Sequence, residues 1–290
     1  MSALPPPCRI AALYVYPIKS CAGIAVDTMR FDALGPLEDR RWMLVDDRDD
    51  FVTQRDAPRL AMVRPSRLDG GLRVLAPGMP ALAVAGTGSA RRSTRVWDDR
   101  CAGFDEGTEA RAWFSEYVGR PVRLLRFDTS APREASRNWV GSDAGQPGAL
   151  TRFSDGFPLL VVSGASLAAL NGRLAQAGLP AAQMQRFRPN VVLEGLDAFG
   201  EDMLDTLAVE RGSGPATVLR IVKPCTLCTV PEVDPLTGRH EPGILQVLAG
   251  FRSDPKLGGA VTFGQNAILI DGIDGLLRAG DTLLPSYRWD

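Results

Sequence analysis

The residues best suited to chemistry in this chain lie in Lys223-Pro224-Cys225-Thr226-Leu227-Cys228. The pair of cysteines follows an apolar, β-forming run, Val218–Val222. Pro224 lacks the amide a ladder needs, so the strand is expected to stop there and leave both thiols on a turn, where backbone is exposed and sites form. Three chemistries use such a pair. A redox dithiol needs a helix N-terminus to lower a thiol pKa, and Thr229-Val230-Pro231 is poor helix. A structural zinc site needs four ligands, and Cys8, Cys21, Cys101 and His240 offer no second pair at ligand spacing. A single thiolate, acting as metal ligand or nucleophile beside a neighbouring thiol, needs neither. Two small buried hydrophobes are the plain structural alternative.

Two further segments could hold an anion. In Arg186-Phe187-Arg188-Pro189-Asn190, at the start of an expected strand, arginines at i and i+2 of extended chain share a face. That is a fork for an oxyanion such as phosphate, or else a solvated strand edge. Tyr16-Pro17-Ile18-Lys19-Ser20-Cys21-Ala22-Gly23 ends a strand in a turn bearing Lys, Ser and Gly, either a phosphate clasp or a surface turn. Asp39-Arg40-Arg41-Trp42 and Thr53-Gln54-Arg55 add basic residues at the two ends of an expected hairpin, or ion pairs with Glu38 and Asp39 on a hydrated surface. Gly86-Thr87-Gly88-Ser89 has the composition of a phosphate loop without its spacing and reads as a plain loop. His240 is the only histidine and reads as an exposed loop residue; its solitude excludes multi-histidine metal sites.

The elements that must position these groups are mostly strands. Arg9–Tyr16 alternates; Trp42–Asp46 and Phe51–Arg55 flank the charged tip Asp46–Asp50; Leu60–Arg64, Leu72–Leu75, Thr94–Trp97 and Pro121–Phe127 continue the pattern. One helix interrupts it, with Ala110, Trp113, Phe114, Tyr117 and Val118 on one stripe and Gly119 and Pro121 as its stop. Asp128–Gly148 has no period and reads as a linker or long loop. Beyond it come Phe157–Val162, a helix with Ser163 as N-cap and Leu167, Leu170 and Leu174 on its stripe, then strands at Asn190–Leu193, Leu207–Glu210, Val218–Val222 and Ala267–Ile270, with a short helix at Ile244–Phe251.

Composition bounds the rest. With 290 residues, 45% hydrophobic and 23% charged, the chain is ordinary globular protein of about two domains. Lys+Arg of 33 against Asp+Glu of 34 leaves a net charge of −1, which excludes a domain-wide nucleic-acid footprint. The longest apolar runs, Phe157–Val162 and Ala81–Ala85, are strand-sized, far short of the roughly 20 residues of a membrane span. Met1–Cys8 lacks the layout of a secretory signal. Sparse, odd-numbered cysteine argues for a reducing compartment, so the expected location is the cytoplasm.

Taken in order, Tyr16-Pro17-Ile18-Lys19-Ser20-Cys21, Asp39-Arg40-Arg41-Trp42, Arg186-Phe187-Arg188-Pro189-Asn190, Lys223-Pro224-Cys225-Thr226-Leu227-Cys228, Asp234-Pro235-Leu236-Thr237-Gly238 and Phe263-Gly264-Gln265 resemble MOSC proteins that carry an N-terminal MOSC β-barrel, including the mitochondrial amidoxime-reducing components and their bacterial counterparts. The resemblance spans nearly the whole chain. It implies a mostly β (α+β) fold with an N-terminal MOSC β-barrel domain over 8–128 and a β-barrel-like MOSC domain over 140–287. It implies the molybdenum cofactor, a phosphate-bearing pterin whose dithiolene holds the metal. Cys228 would be the protein thiolate on molybdenum and the residue that carries catalysis. Lys19, Ser20, Arg40, Arg188, Asn190 and Thr226 would hold the pterin and its phosphate.

The function implied is reduction of N-hydroxylated compounds by oxygen-atom transfer at molybdenum, with electrons from a separate reductase or ferredoxin-like protein; the charge balance and short apolar runs add the expectation of no nucleic-acid or membrane partner. The alternative is a sulfur carrier or cofactor-binding module linked to pyridoxal-phosphate-dependent desulfurase pathways, without reductase activity. Two positions depart from the pattern: Leu227 stands where relatives often carry Arg, and Asn266 where the amidoxime-reducing type has Tyr.

Overall fold

A computed structural model describes residues 7–140, 149–209 and 217–288. Its centre is a closed seven-stranded barrel. Around the barrel run Leu159–Ser163, Val191–Glu194, Cys8–Val15, Thr282–Tyr287, Leu204–Val209, Val218–Thr226 and Ala260–Asp271, and the last pairs back onto the first. Alternation makes it possible. Cys8 and Ile10 are buried, and after a register shift at Ile10/Ala12 so are Leu13 and Val15; Ile10, Leu13 and Val15 join Val161, Leu193, Leu219, Ile221 and Leu283 in one core. Each such side chain contributes about 1.5–3 kcal/mol when fully buried. Leu159–Ser163 and Val191–Glu194 are parallel, so the chain must cross over between them. The helix Gly164–Gln176 does this, capped by Ser163, whose hydroxyl accepts from Ala165 N at 3.2 Å.

The first half forms a second unit. Trp42–Val45, Arg123–Phe127, Asp99–Asp105 and Ala90–Val96 make an antiparallel sheet, and Arg64–Leu68, Gly71–Leu75 and Leu82–Val84 a meander. The expected helix is Thr108–Val118, ending at Gly119 in the left-handed region; Ala110, Trp113, Phe114 and Tyr117 pack on Leu44, Val52, Leu60 and Leu124. The two units interleave. Cys8–Val15 is part of the barrel, and Thr28–Asp32 pairs with Leu276–Arg278 near the other end of the chain.

Four local expectations change. Leu60–Arg64 is not a strand: Pro58–Met62 is a 3-10 turn that drops Leu60 and Ala61 into the core, and extended chain begins at Arg64. In Phe51–Arg55 only Phe51 bridges Val45, because Asp56 Oδ2 accepts from both Thr53 N and Thr53 Oγ1 and curls the chain. Asp128–Gly148 is not wholly irregular: Arg133–Glu134 pairs with Leu150–Thr151 and Arg137–Val140 is helical, while 141–148 lies outside the described residues. Pro224 does not stop its strand, which runs from Val218 to Thr226. Register shifts on either side of it take up the missing donor. Among the described residues no helix is long and apolar enough to cross a membrane.

Candidate functional site

Where the barrel mouth meets the first-half turns there is a cleft of about 480 Å³. That volume lies within the roughly 300–1,000 Å³ typical of small-molecule sites. All seven residues that the resemblance assigns to the cofactor line it: Lys19, Ser20 and Arg40 from the first half, Arg188, Asn190, Thr226 and Cys228 from the second. Ser20, Arg40 and Arg188 have φ of 68°, 45° and 60°. Left-handed backbone in such residues is costly and persists where the surroundings fix it.

A buried network fixes it here. Asp39 Oδ1 accepts from Tyr16 N at 2.8 Å, Asn190 Nδ2 at 3.0 Å and Arg40 Nη1 at 2.7 Å. Arg40 Nη2 donates to the Arg188 carbonyl at 3.2 Å, and Arg188 Nη1 to the Cys21 carbonyl at 2.6 Å. The guanidinium carbons of Arg40 and Arg188 each lie 4.4 Å from the Tyr16 ring centroid. Burial, with Arg40 alongside, pushes Arg188 below the usual arginine range, a cost that a bound anion would offset. Its Nη2 is buried and has no partner among the described residues.

Lys19 is held at the cleft wall, its Nζ donating to the Phe153 carbonyl and to Asp155 Oδ1, each at 2.8 Å. Burial lowers its pKa and the Asp155 carboxylate opposes that. Arg133, buried behind the same segment, donates to the carbonyls of Arg152, Ser154 and Asp155. Four successive carbonyls are thus turned toward two cations. Among the described residues the amides of Ser154, Asp155, Gly156 and Phe157 donate no hydrogen bond, and these residues line the cleft.

The arginine fork is not present. Arg186 closes a 3-10 turn, Met184–Arg186, and the following residues are not extended, so the two side chains do not share a strand face. Arg186 Nη2 instead pairs with Asp234 at 2.9 Å and with Glu241. Among the described residues Arg188 Nη2 is the one buried guanidinium Nη without a partner; Arg186 keeps only its Nε unpaired.

The two thiols differ. Cys225 packs against the cluster of Leu160, Phe187 and Phe263, and burial, with Asp155 and Cys228 nearby, pushes it up to about 12. Cys228 is exposed on the cleft. His240 is half exposed, 3.4 Å from Glu232 and not on the cleft lining. Asp155 and Trp97, also on the lining, were not found from the sequence. Asp155 acts only through its spatial pairing with Lys19. Trp97 stands in a two-residue hairpin turn, where a bulky aromatic is itself a signal.

Family models for the MOSC N-terminal beta barrel domain and the MOSC domain match residues 7–121 and 150–283. The chain is 31% identical to the rat "Mitochondrial amidoxime reducing component 2", over 96% of this chain and 82% of that one. The chain belongs to the MOSC family. Human "Mitochondrial amidoxime-reducing component 1" matches this MOSC protein at 31% identity over 94% of its length and 81% of the relative's. Human "Molybdenum cofactor sulfurase" matches 84% of this MOSC protein at 28% identity, but only 28% of that longer chain is covered.

Proposed function

We propose that this MOSC protein binds the molybdenum cofactor in the cleft and reduces N-hydroxylated compounds. The observation that carries the reading is the donor set: one exposed thiol, Cys228, beside buried Arg188, whose Nη2 has no partner, and the Ser154–Phe157 amides, which have none either among the described residues. Such a set suits a group that brings its own sulfurs and a phosphate and asks the protein for one soft ligand and several anion donors. The names of relatives covering most of the chain point the same way.

Cys228 would hold the metal as a thiolate. Arg40 and Arg188, locked by Asp39, Asn190 and the Tyr16 ring, would neutralise the phosphate without reorganising. Lys19, Ser20 and Thr226 would complete the clasp, and Asn190 would fix Arg40 through its Oδ1 at 3.1 Å. Leu227 and Asn266, on the same lining, give the pocket an apolar and an uncharged polar contact where relatives often carry Arg and the amidoxime-reducing type has Tyr. When bound, the cofactor supplies two-electron oxygen-atom transfer from an N–O group, and the protein binds, orients and shields it. Electrons would come from a separate reductase or ferredoxin-like protein. Five free cysteines suit a reducing compartment, and the cytoplasm is the location this reading assigns.

The test is elemental analysis with pterin fluorescence on protein from a molybdate-fed host, followed by amidoxime reduction with reduced viologen. Equimolar molybdenum and pterin with turnover supports the reading. Loaded protein that is inert toward several N-hydroxylated compounds sinks it and favours the sulfur-carrier alternative.

A further inference from the structure

Trp97 is the first of two residues, Trp97 and Asp98, that turn the hairpin between Ala90–Val96 and Asp99–Asp105. Its φ is 55°, whereas Asp98 is not among the residues with positive φ. A two-residue hairpin with positive φ at its first central position normally has Gly there, and a bulky side chain at positive φ is a genuine outlier. The core does not explain it, because Trp97 is 46% exposed and lines the cleft.

Three contacts hold the ring in place. Nε1 donates to Asp155 Oδ1 at 3.0 Å, the same oxygen that accepts from Lys19 Nζ. Phe51 meets it edge-on with centroids 5.4 Å apart. The Arg55 guanidinium lies 4.4 Å over the ring. The indole is therefore fixed at the cleft, partly open to solvent, and tied through one carboxylate to the lysine of the anion clasp. A strained, exposed and immobilised aromatic on a ligand cleft suits stacking against a planar group, since its orientation is set before the ligand arrives.

We propose that Trp97 is a stacking platform that gives the cleft a preference for N-hydroxylated substrates carrying an aromatic ring. This rests on the reductase reading for the N–O group, but the platform acts on the rest of the substrate.

The experiment is equilibrium binding of benzamidoxime and acetamidoxime to molybdenum-loaded protein, followed by tryptophan fluorescence and calorimetry, with turnover measured in parallel. Trp97→Gly places the residue favoured by that backbone and so preserves the turn; Trp97→Phe retains an aromatic face. In Trp97→Gly, benzamidoxime Kd should weaken about three- to tenfold, the size of an aromatic pair, while acetamidoxime stays within about twofold. Trp97→Phe should recover most of the difference. Equal weakening of both ligands, or no change in their ratio, overturns the platform. So does a loss seen only in turnover with a protein electron donor, which would make Trp97 part of a docking face. Benzamidoxime binding without turnover refutes the reductase reading and leaves the platform to be judged on the ratio. Failure of benzamidoxime to bind overturns the platform whatever the turnover.

Discussion

Cys225 and Cys228 both line the cleft from one short segment, the first half-buried and the second exposed. The first packs into an apolar cluster with its thiol pushed up to about 12, and the second is exposed on the cleft. At pH 8 an alkylating reagent should therefore modify Cys228 first and Cys225 more slowly, as peptide mass spectrometry would show. Cys228→Ser should fold normally, with stability within about 0.5 kcal/mol as for other surface changes, and lose turnover. Cys225→Ser should keep turnover and lose about 1 kcal/mol from the partly buried hydroxyl. A dead Cys225→Ser beside an active Cys228→Ser would reverse the assignment.

Arg188 should not tolerate lysine. Its guanidinium uses Nη1 on the Cys21 carbonyl and keeps Nη2 without a partner among the described residues, a division of labour an ammonium cannot copy. Arg188→Lys should lower molybdenum and pterin content by about tenfold, the worth of one hydrogen bond to a charged group. Occupancy equal to the parent protein after purification under identical molybdate feeding would count against an anion-holding role.

Alkaline pH should destabilise the fold earlier than carboxylate or lysine chemistry would suggest. Burial raises the thiols of Cys8 and Cys101 from 9.0 to about 11, and those of Cys21 and Cys225 to about 12. Between those limits the unfolded chain has released the proton and the folded chain has not. Stability is therefore fully present below about pH 9 and falls as pH rises toward 11–12, by up to about 1.4 kcal/mol per pH unit for each thiol. Urea unfolding at pH 8, 9 and 10 measures this; a flat profile would mean the thiols ionise as freely in the fold as outside it.

Reduced viologen should drive amidoxime reduction by the loaded protein, and NADH alone should not. No Gly-x-Gly-x-x-Gly turn follows a strand, and among the described residues no three His, Cys, Asp or Glu side chains gather where a second metal could sit. NADH-dependent turnover by the purified chain would reveal a further electron-accepting site.

Much of this was legible in the sequence because it is written in periodicity. The stripe from Ala110 to Val118 became the helix Thr108–Val118, and alternation in Arg9–Tyr16 became the strand Cys8–Val15. What escaped depends on single backbone torsions or on distant partners. The side-by-side arginines assumed extended chain, but a 3-10 turn and the left-handed Arg188 separate them. Leu60 has strand-like neighbours, yet Pro58 starts a tight turn. Asp155 gains its role from Lys19, 136 residues earlier, and Arg133 from carbonyls that no side-chain pattern reports.

The place of Cys8–Val15 in the barrel sets the order in which the molecule can be made. It lies between Val191–Glu194 and Thr282–Tyr287, so this strand, synthesised well before Thr282–Tyr287, must wait for it before the ring can shut. Closure over so long a loop is entropically slow. During synthesis that apolar strand is an unpaired edge, open to self-association. Anything that clips this strand would unseal the cleft, since Tyr16 and Lys19 follow directly from it.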